Sequence, residues 1–408
     1  MNVDNRTLFI ADNLDIMRGI DSETIDLIYL DPPFNTNKQY KAPIGSPAEG
    51  AEFKDIWEDE DIKYEWHGEI AETNEDLYQI IQASELVYNK SMRIYLTAMA
   101  VRLFEMRRLL KPTGSVYLHC DPTASHYLKL VMDSLFGNQN FRNEVIWCYH
   151  TGGATKKHFP KKHEVLLLYG KNAKQSYHDA PRGIPYRDFY AYDKNGNIEV
   201  AKGYHPEGKM VPDWWEISAI SSRAKERTGW PTQKPLALLD RIIKASSNEN
   251  DVVLDPFCGC ATACVAAEKL QRQWIGIDVA PAAERFTKDR LESASEQGQL
   301  FSPIQMSDIT VTSSPPTRTD DLFVATQRPL PAYQNHKHEL YGIQEGHCNG
   351  CKLHFRLRNL TVDHVIAQSK GGTDHIENLQ LLCQACNSTK GTGTQEELIQ
   401  KLKAQGVL

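Results

Sequence analysis

The sequence predicts an α/β fold with a mostly parallel sheet, followed by a small separate module. Three observations carry this reading. Apolar runs of strand length alternate with helix-length amphipathic stretches. Two of those runs end abruptly in an aspartate-proline turn, at Asp31-Pro32 and at Asp255-Pro256. The only Cys-x-x-Cys pairs lie near the C-terminus.

A chain of 408 residues is long enough for two domains, or for one large domain and a small module. With 41% hydrophobic and 24% charged residues it can bury a sizeable core. No apolar run is long enough to span a bilayer, and Met1 to Ile10 has neither the basic start nor the apolar stretch of a secretory signal. A cytoplasmic protein with no membrane partner is expected. The formal net charge of -7 argues mildly against a nucleic-acid partner, but the charge is unevenly spread. Residues 1–90 hold 7 basic and 20 acidic side chains, whereas residues 141–244 hold 18 basic and 11 acidic. A basic middle segment in an acidic chain suits a localised phosphate-binding face; the alternative is two solvated surfaces.

In chain order, Thr7 to Ile10 reads as a strand and Ile25 to Leu30 as a buried one, stopped by Asp31-Pro32-Pro33-Phe34. Residues 45–76 are polar and acidic, a surface excursion or lid. A helix is expected from about Ser91 to Leu110, ended by Lys111-Pro112-Thr113-Gly114. Then come a strand (Ser115 to His119), a helix (about Ala124 to Phe136) and strands around Glu144–Tyr149 and Glu164–Tyr169. From about 171 to 228 periodicity fades and turns dominate. A helix (Lys234 to Ser246), a strand (Asp251 to Asp255), a loop of small residues, a helix (about Thr262 to Leu270) and a strand (Trp274 to Asp278) follow. Residues 296–335, with two proline-rich patches, read as a linker, and 336–408 as the small module.

Two distant features suit one chemistry together. The amino nitrogen of a base is a poor nucleophile, because its lone pair is delocalised into the ring. A carboxylate and a backbone carbonyl that accept from its N–H groups would push it toward a tetrahedral state. Asp31 can supply the carboxylate and Pro32 the carbonyl; proline has no N–H and fixes φ, so the turn presents acceptors. Phe34 offers a face for a base that has left the helix. The second feature is Val252-Val253-Leu254-Asp255-Pro256-Phe257-Cys258-Gly259-Cys260-Ala261-Thr262, then Trp274-Ile275-Gly276-Ile277-Asp278. A strand, a tight loop and a helix let a ligand approach the backbone. Asp278, about twenty residues on, is placed to accept from ribose hydroxyls. Either feature alone is also compatible with ordinary strand–turn packing.

In this order the two motifs resemble the beta group of DNA amino-methyltransferases, which make N6-methyladenine or N4-methylcytosine, over about residues 1–295. The resemblance implies a Rossmann-like fold that binds S-adenosylmethionine, with a target-recognition region inserted at about 171–228. It implies that Asp31, Pro32, Pro33 and Phe34 form the catalytic turn holding the target base. Asp255, Phe257, Gly259, Asp278, Thr232 and Lys234 would then surround the cofactor, the last two from the segment Pro231-Thr232-Gln233-Lys234-Pro235. Ala261 departs from the family, which often has a second glycine there. A motif led by aspartate leans toward adenine.

At the C-terminus, Cys348-x-x-Cys351 and Cys383-x-x-Cys386 offer four thiolates for a closed tetrahedral zinc site, the staple such a small module needs. A rubredoxin-like iron site would use the same ligands. Between the pairs lie Asp363-His364, Gly371 to Leu379 and, after the last cysteine, Asn387 to Gly391. This pattern resembles an HNH nuclease, a ββα fold around one divalent cation. The resemblance implies His364 as general base, Asp363 and Asn387 as Mg²⁺ ligands, and Asn378 as a support for the loop. His347, His354 and His375 read as surface residues or DNA contacts. The expected partner is double-stranded DNA, and a homodimer is allowed. Two other readings stay open: an N4-cytosine methyltransferase whose zinc module only grips DNA, and a non-catalytic nucleic-acid-binding protein that kept both folds.

Overall fold

A computed structural model describes residues 1–36, 38–42, 52–150, 155, 157, 159–172, 182–184, 191–192, 198–199, 209–300, 302–320 and 332–408. They fall into two compact units: Met1–Asp55, Glu105–Lys129 and Phe136–Asp320 in the first, Ile56–Phe104, Leu130–Leu135 and Asp321–Leu408 in the second.

The first unit is built on a nine-stranded sheet. Its strands are β1 (Thr7–Ile10), β2 (Ile25–Leu30), β5 (Leu110–Cys120), β6 (Phe141–Cys148), β7 (His163–Gly170), β12 (Trp214–Glu216), β13 (Val252–Asp255), β14 (Gln273–Asp278) and β15 (Thr310–Thr312). They lie in the order β12-β6-β7-β5-β2-β13-β14-β1-β15. Neighbours run parallel except around β7, which is antiparallel to both β5 and β6. The central strands are buried along nearly their whole length, as expected of parallel strands covered on both faces. A hairpin of β3 (Lys38–Lys41) and β4 (Glu52–Asp55) follows β2. Helices α1 (Asn13–Gly19), α5 (Ser125–Phe136), α6 (Leu236–Ser246), α7 (Thr262–Lys269) and α8 (Ala282–Glu296) follow strands or lead into them.

Register matters most between β2 and β13. Leu27 pairs with Val253 and Ile28 with Leu254, so both strands end at one edge of the sheet. The Asp31 turn and the loop after Asp255 therefore leave the sheet side by side, although 224 residues separate them (255 − 31). Asp255 pairs with Gly276, which brings Asp278 to the same edge.

Three expectations change. Lys111 to Gly114, expected to end a helix, lie inside β5, whose pairing with β2 shifts register there; the stop sequence is absorbed as an irregularity. Trp214–Glu216, within the stretch expected to be turns, pairs with β6, because Trp215 is buried and the Trp147 indole donates to the Ile217 carbonyl at 2.8 Å. The expected linker contributes β15, which pairs with β1 and is anchored by buried Ile304 and Ile309. Thr319 then donates from its N–H and hydroxyl to Asp21 at 2.7 and 2.9 Å, so the folded chain continues to residue 320. Half of the 171–228 segment lies outside the described residues, as does Asn37. Its short strands pair β8 (Arg182–Ile184) with β11 (Lys209–Met210) and β9 (Ala191–Tyr192) with β10 (Ile198–Glu199).

In the second unit, the acidic stretch read as a surface excursion carries α2 (Tyr64–Thr73), and α3 (Glu75–Val87) and α4 (Lys90–Leu109) follow. Trp66, Ile70, Leu77, Tyr78 and Ile81 turn inward while the carboxylates stay outside. Asn74 ends α2 and caps α3, accepting from the Leu77 N–H at 3.0 Å. The C-terminal module is folded onto these helices through α9 (Lys337–Ile343). Glycine permits the close approach: a Cβ on Gly68 would lie 2.3 Å from the His338 Cα, and one on Gly342 would lie 2.1 Å from the Tyr64 carbonyl oxygen. Tyr78 adds ring contacts to Tyr341 and His354. The module itself is an antiparallel hairpin, β16 (Leu360–His364) with β17 (Leu379–Cys383), followed by α10 (Gln384–Lys390) and α11 (Gln395–Ala404). That is the expected ββα arrangement. Among the described residues no helix is long and apolar enough to cross a membrane.

Because backbone rather than a flexible side chain faces Gly68, Gly68→Leu should destabilise this unit by about 1–3 kcal/mol. Scanning calorimetry should show one melting transition lowered and the other unmoved; an unchanged thermogram would contradict the close helix crossing.

Candidate active site

Asp31 closes β2 with its side chain 16% exposed. The Lys234 ammonium donates to its Oδ2 at 2.6 Å, while Oδ1 is buried and has no hydrogen-bond partner. One oxygen is thus anchored and the other is free to accept. Phe34 lies beside it, its ring 5.2 Å from the Lys234 Nζ and 5.9 Å from the His119 ring. The turn is held from behind by Asp55, which accepts from the N–H groups of Asn35 and Thr36 at 2.6 and 2.9 Å and from the Thr36 hydroxyl at 2.5 Å. Asn35 is left-handed at φ +60°, a conformation these bonds stabilise. Burial pushes the Asp55 carboxyl up, and the same bonds oppose it.

Behind Asp31 runs a buried polar chain that the sequence did not reveal. Lys234 Nζ also lies 3.7 Å from the Glu164 Oε2, and that oxygen lies 2.8 Å from the His119 Nε2. The other imidazole nitrogen bonds the Tyr29 hydroxyl at 2.8 Å. Burial alone would raise Glu164, but Lys234 and then His119 outweigh it and hold its pKa at about 2. Burial would lower Lys234, and the Asp31 and Glu164 charges reverse that and raise it. Both partners remain ionised. Lys234, expected beside the cofactor, has its ammonium on the Asp31 carboxylate.

The expected cofactor residues gather where β13 and β14 end. Asp255 is buried and accepts from the Phe257 N–H at 3.1 Å; burial raises its pKa well above normal. Asp278 accepts from the N–H groups of Gly259 and Ala280, each at 2.8 Å, which fixes the loop around the carboxylate. Burial raises Asp278 too. Gly259 needs to be glycine: its φ is +52°, and a Cβ would lie 2.9 Å from the Trp230 indole nitrogen. Ala261 is also left-handed, at φ +58°, a conformation that costs a residue with a Cβ roughly 1–2 kcal/mol. Arg290 on α8 secures the loop by donating to the Cys260 carbonyl at 2.7 Å and the Thr262 hydroxyl at 2.8 Å. Thr232 is left-handed at φ +60°, and its hydroxyl donates to the Pro231 carbonyl at 2.6 Å.

In the C-terminal module the sulfurs of Cys348, Cys351, Cys383 and Cys386 are buried and lie within 4.8 Å of one another. A tetrahedral tetrathiolate zinc site, with Zn–S of about 2.3 Å, requires sulfurs roughly 3.8 Å apart, which this cluster accommodates. The N–H groups of Gly350 and Cys383 point at the Cys348 sulfur, at 3.3 and 3.2 Å. At the second centre, His364 Nε2 bonds the Asp374 carboxylate at 2.7 Å and the Tyr333 ring lies against the imidazole. Asp363 Oδ2 receives Gln380 at 2.9 Å and lies 3.1 Å from the buried Lys390 ammonium. Asn387 donates to the Thr361 hydroxyl at 3.2 Å. No donor to Asp363 Oδ1 or to the Asn387 amide oxygen is found among the described residues, and each is the kind of oxygen a hard cation takes. Asn378 bridges the loop, accepting from the Ile366 N–H at 2.9 Å and donating to the carbonyls of Ile366 and Thr373 at 3.1 and 2.8 Å.

His119, Glu164, Asp55, Arg290 and Asp374 were given no role from sequence. For the first two a signal exists: His119 ends the run Val116-Tyr117-Leu118 and Glu164 precedes the run Val165-Leu166-Leu167-Leu168, each an ionisable residue against a buried apolar stretch. Asp55 is hidden in the acidic stretch by its many neighbours of the same charge.

A family model described as DNA methylase matches residues 25–289, and one described as HNH endonuclease matches residues 348–393. The chain is 26% identical over 289 residues to the Type II methyltransferase M.HpaI of Haemophilus parainfluenzae, covering 71% of this chain and 75% of that protein. It is 28% identical over 298 residues to the DNA adenine methyltransferase YhdJ of Escherichia coli K12, covering 71% and 84%. Among solved structures it is similar to the PvuII DNA methyltransferase (cytosine-N4-specific), with a TM-score of 0.44, 14% identity, and coverage of 76% and 96%.

The depressed Glu164 pKa has a consequence for acid stability. The stabilisation is complete above the ordinary glutamate value of 4.5 and is lost as pH falls toward about 2. Urea midpoints measured at pH 5 and pH 3 should therefore fall less for Glu164→Gln than for the parent; parallel losses would contradict the buried ion pair.

Proposed function

This chain belongs to the DNA methylase family, and we propose that it transfers a methyl group from S-adenosylmethionine to the N6 amino group of adenine in double-stranded DNA. The observation that carries this reading is the divided Asp31 carboxylate, one oxygen fixed by Lys234 and the other buried and free. The free oxygen accepts one amino N–H of an extruded adenine, and the Pro32 carbonyl accepts the other. Both bonds strengthen as the nitrogen becomes tetrahedral, so they favour the transition state over the ground state. Phe34 stacks on the base. S-adenosylmethionine supplies an electrophilic methyl group, held by Asp255, Phe257, Gly259, Asp278 and Thr232 next to the turn. The amino lone pair forms the new N–C bond as the S–C bond breaks toward sulfur, and the nitrogen sheds its surplus proton to the Asp31 carboxylate and on to water. The aspartate-led motif and the likeness to a DNA adenine methyltransferase favour N6 of adenine.

The C-terminal module is read as a nuclease that cuts the same kind of DNA. The four cysteines would hold a structural Zn²⁺, and Asp363 and Asn387 would hold Mg²⁺. His364, oriented by Asp374 through one ring nitrogen, withdraws a proton from water with the other. The basic segment 141–244 supplies phosphate contacts.

Nucleosides from DNA of cells expressing His364→Ala should contain N6-methyladenine, absent when Asp31→Ala is added. N4-methylcytosine instead would keep the mechanism and change the base; no modified base from a soluble protein would refute the proposal. In vitro, His364→Ala should lower Mg²⁺-dependent cleavage of unmodified duplex by at least about a hundredfold. Cys383→Ser should lower the melting temperature of the second unit and release zinc to a colorimetric chelator. Equal cutting by His364→Ala would remove the nuclease assignment, and no zinc in the parent would remove the staple.

A further inference from the structure

We propose that Glu164, seated by His119, is a positioning residue that shares the Lys234 charge and so keeps Asp31 a strong acceptor. This rests on the reading of Asp31 as the carboxylate that receives the target amino group.

A buried lysine beside a single carboxylate neutralises it. Such a pair would be a poor acceptor for an amino group that becomes more positive along the reaction. Here the lysine faces two carboxylates, at 2.6 and 3.7 Å, and Lys234 is only 8% exposed, so water does little to screen either interaction. With His119 as a neutral imidazole, donating from Nε2 to Glu164 and accepting at Nδ1 from the Tyr29 hydroxyl, two negative groups against one ammonium leave one negative charge in excess beside the reacting nitrogen. Methyl transfer moves positive charge from sulfur to that nitrogen, and a fixed excess of negative charge stabilises the shift. Glu164 needs its own support to remain in place. His119 is fully buried, lies 2.8 Å from Glu164, bonds Tyr29 through its other nitrogen and is flanked by the Phe34 and Trp147 rings. Tyr149 donates to the second Glu164 oxygen at 3.4 Å. The same packing sets the Phe34 ring and the carboxylate behind it, so the face offered to the base and the acceptor offered to its amino group are fixed together.

A charge cycle tests this. Under saturating S-adenosylmethionine and DNA, Glu164→Gln should lower kcat at least about tenfold while both KM values stay within about twofold, because ground-state binding is kept. Adding Lys234→Met removes the ammonium that then neutralises Asp31, and the double variant should recover at least about threefold in kcat over Glu164→Gln alone. A merely structural role predicts the opposite, since two lesions in one buried cluster should be worse than one. Parent-like kcat for Glu164→Gln, or a double variant no better than the single, overturns the proposal. Should Glu164→Gln fail to fold, His119→Asn keeps both carboxylates and the lysine and should show the same fall in kcat at constant KM; an unchanged kcat again overturns it. Asp31→Ala is measured alongside. Methylation surviving that change would refute the reading of Asp31 itself, a result distinguishable from failure of the Glu164 role.

Discussion

The ion pair between Lys234 and Asp31 is the contact on which the site depends. It joins a turn at the end of β2 to a segment some two hundred residues later, and does so where water is largely excluded. Buried pairs of this kind rarely add much stability over an apolar packing, because desolvating both groups costs nearly what their attraction returns. Geometry is what the pair provides. It fixes one carboxylate oxygen and leaves the other buried without a hydrogen-bond partner, an acceptor that a ligand can complete.

Everything around the pair serves to keep that arrangement. Parallel pairing of β2 with β13 brings the Asp31 turn next to the loop after Asp255, and β13 with β14 brings Asp278 into line. The antiparallel strand β7 then delivers Glu164 opposite β5, which carries His119, since Cys120 pairs with Val165 and His119 with Leu166. The hairpin of β3 and β4 supplies Asp55 to the far side of the turn. Stretches far apart in the chain thus meet around one turn. In the second unit the same economy appears on a smaller scale: Lys390 reaches back from α10 to Asp363 and the His364 carbonyl, tying the helix to the strand that carries both residues.

How much of this was legible in the sequence depended on how local each signal was. The buried strands ending in Asp31-Pro32 and Asp255-Pro256 could be read directly, because an apolar run and a proline stop are properties of adjacent residues. The paired cysteines and the Asp363-His364 motif are equally local. The polar chain was not legible, since His119 and Glu164 matter only through each other and through Lys234, partners 45 and 70 residues apart (164 − 119 and 234 − 164). Tertiary pairing also decided β12 and β15, which are three residues each and whose strand character comes from their neighbours β6 and β1. Helix α2 was obscured by its acidic outer face; its inner face shows only once Trp66 and Ile70 are seen buried.

The central claim is that the free oxygen of Asp31 receives the target amino group. A crystal structure of the Asn387→Ala protein, with sinefungin and a duplex carrying its methylation site, tests it most directly. The account predicts the adenine extruded onto Phe34, with its amino nitrogen within hydrogen-bond distance of Asp31 Oδ1 and the Pro32 carbonyl, and Lys234 still on Oδ2. An extruded base whose amino group contacts neither acceptor, or a Lys234 ammonium that has left Asp31 for the cofactor, would contradict it.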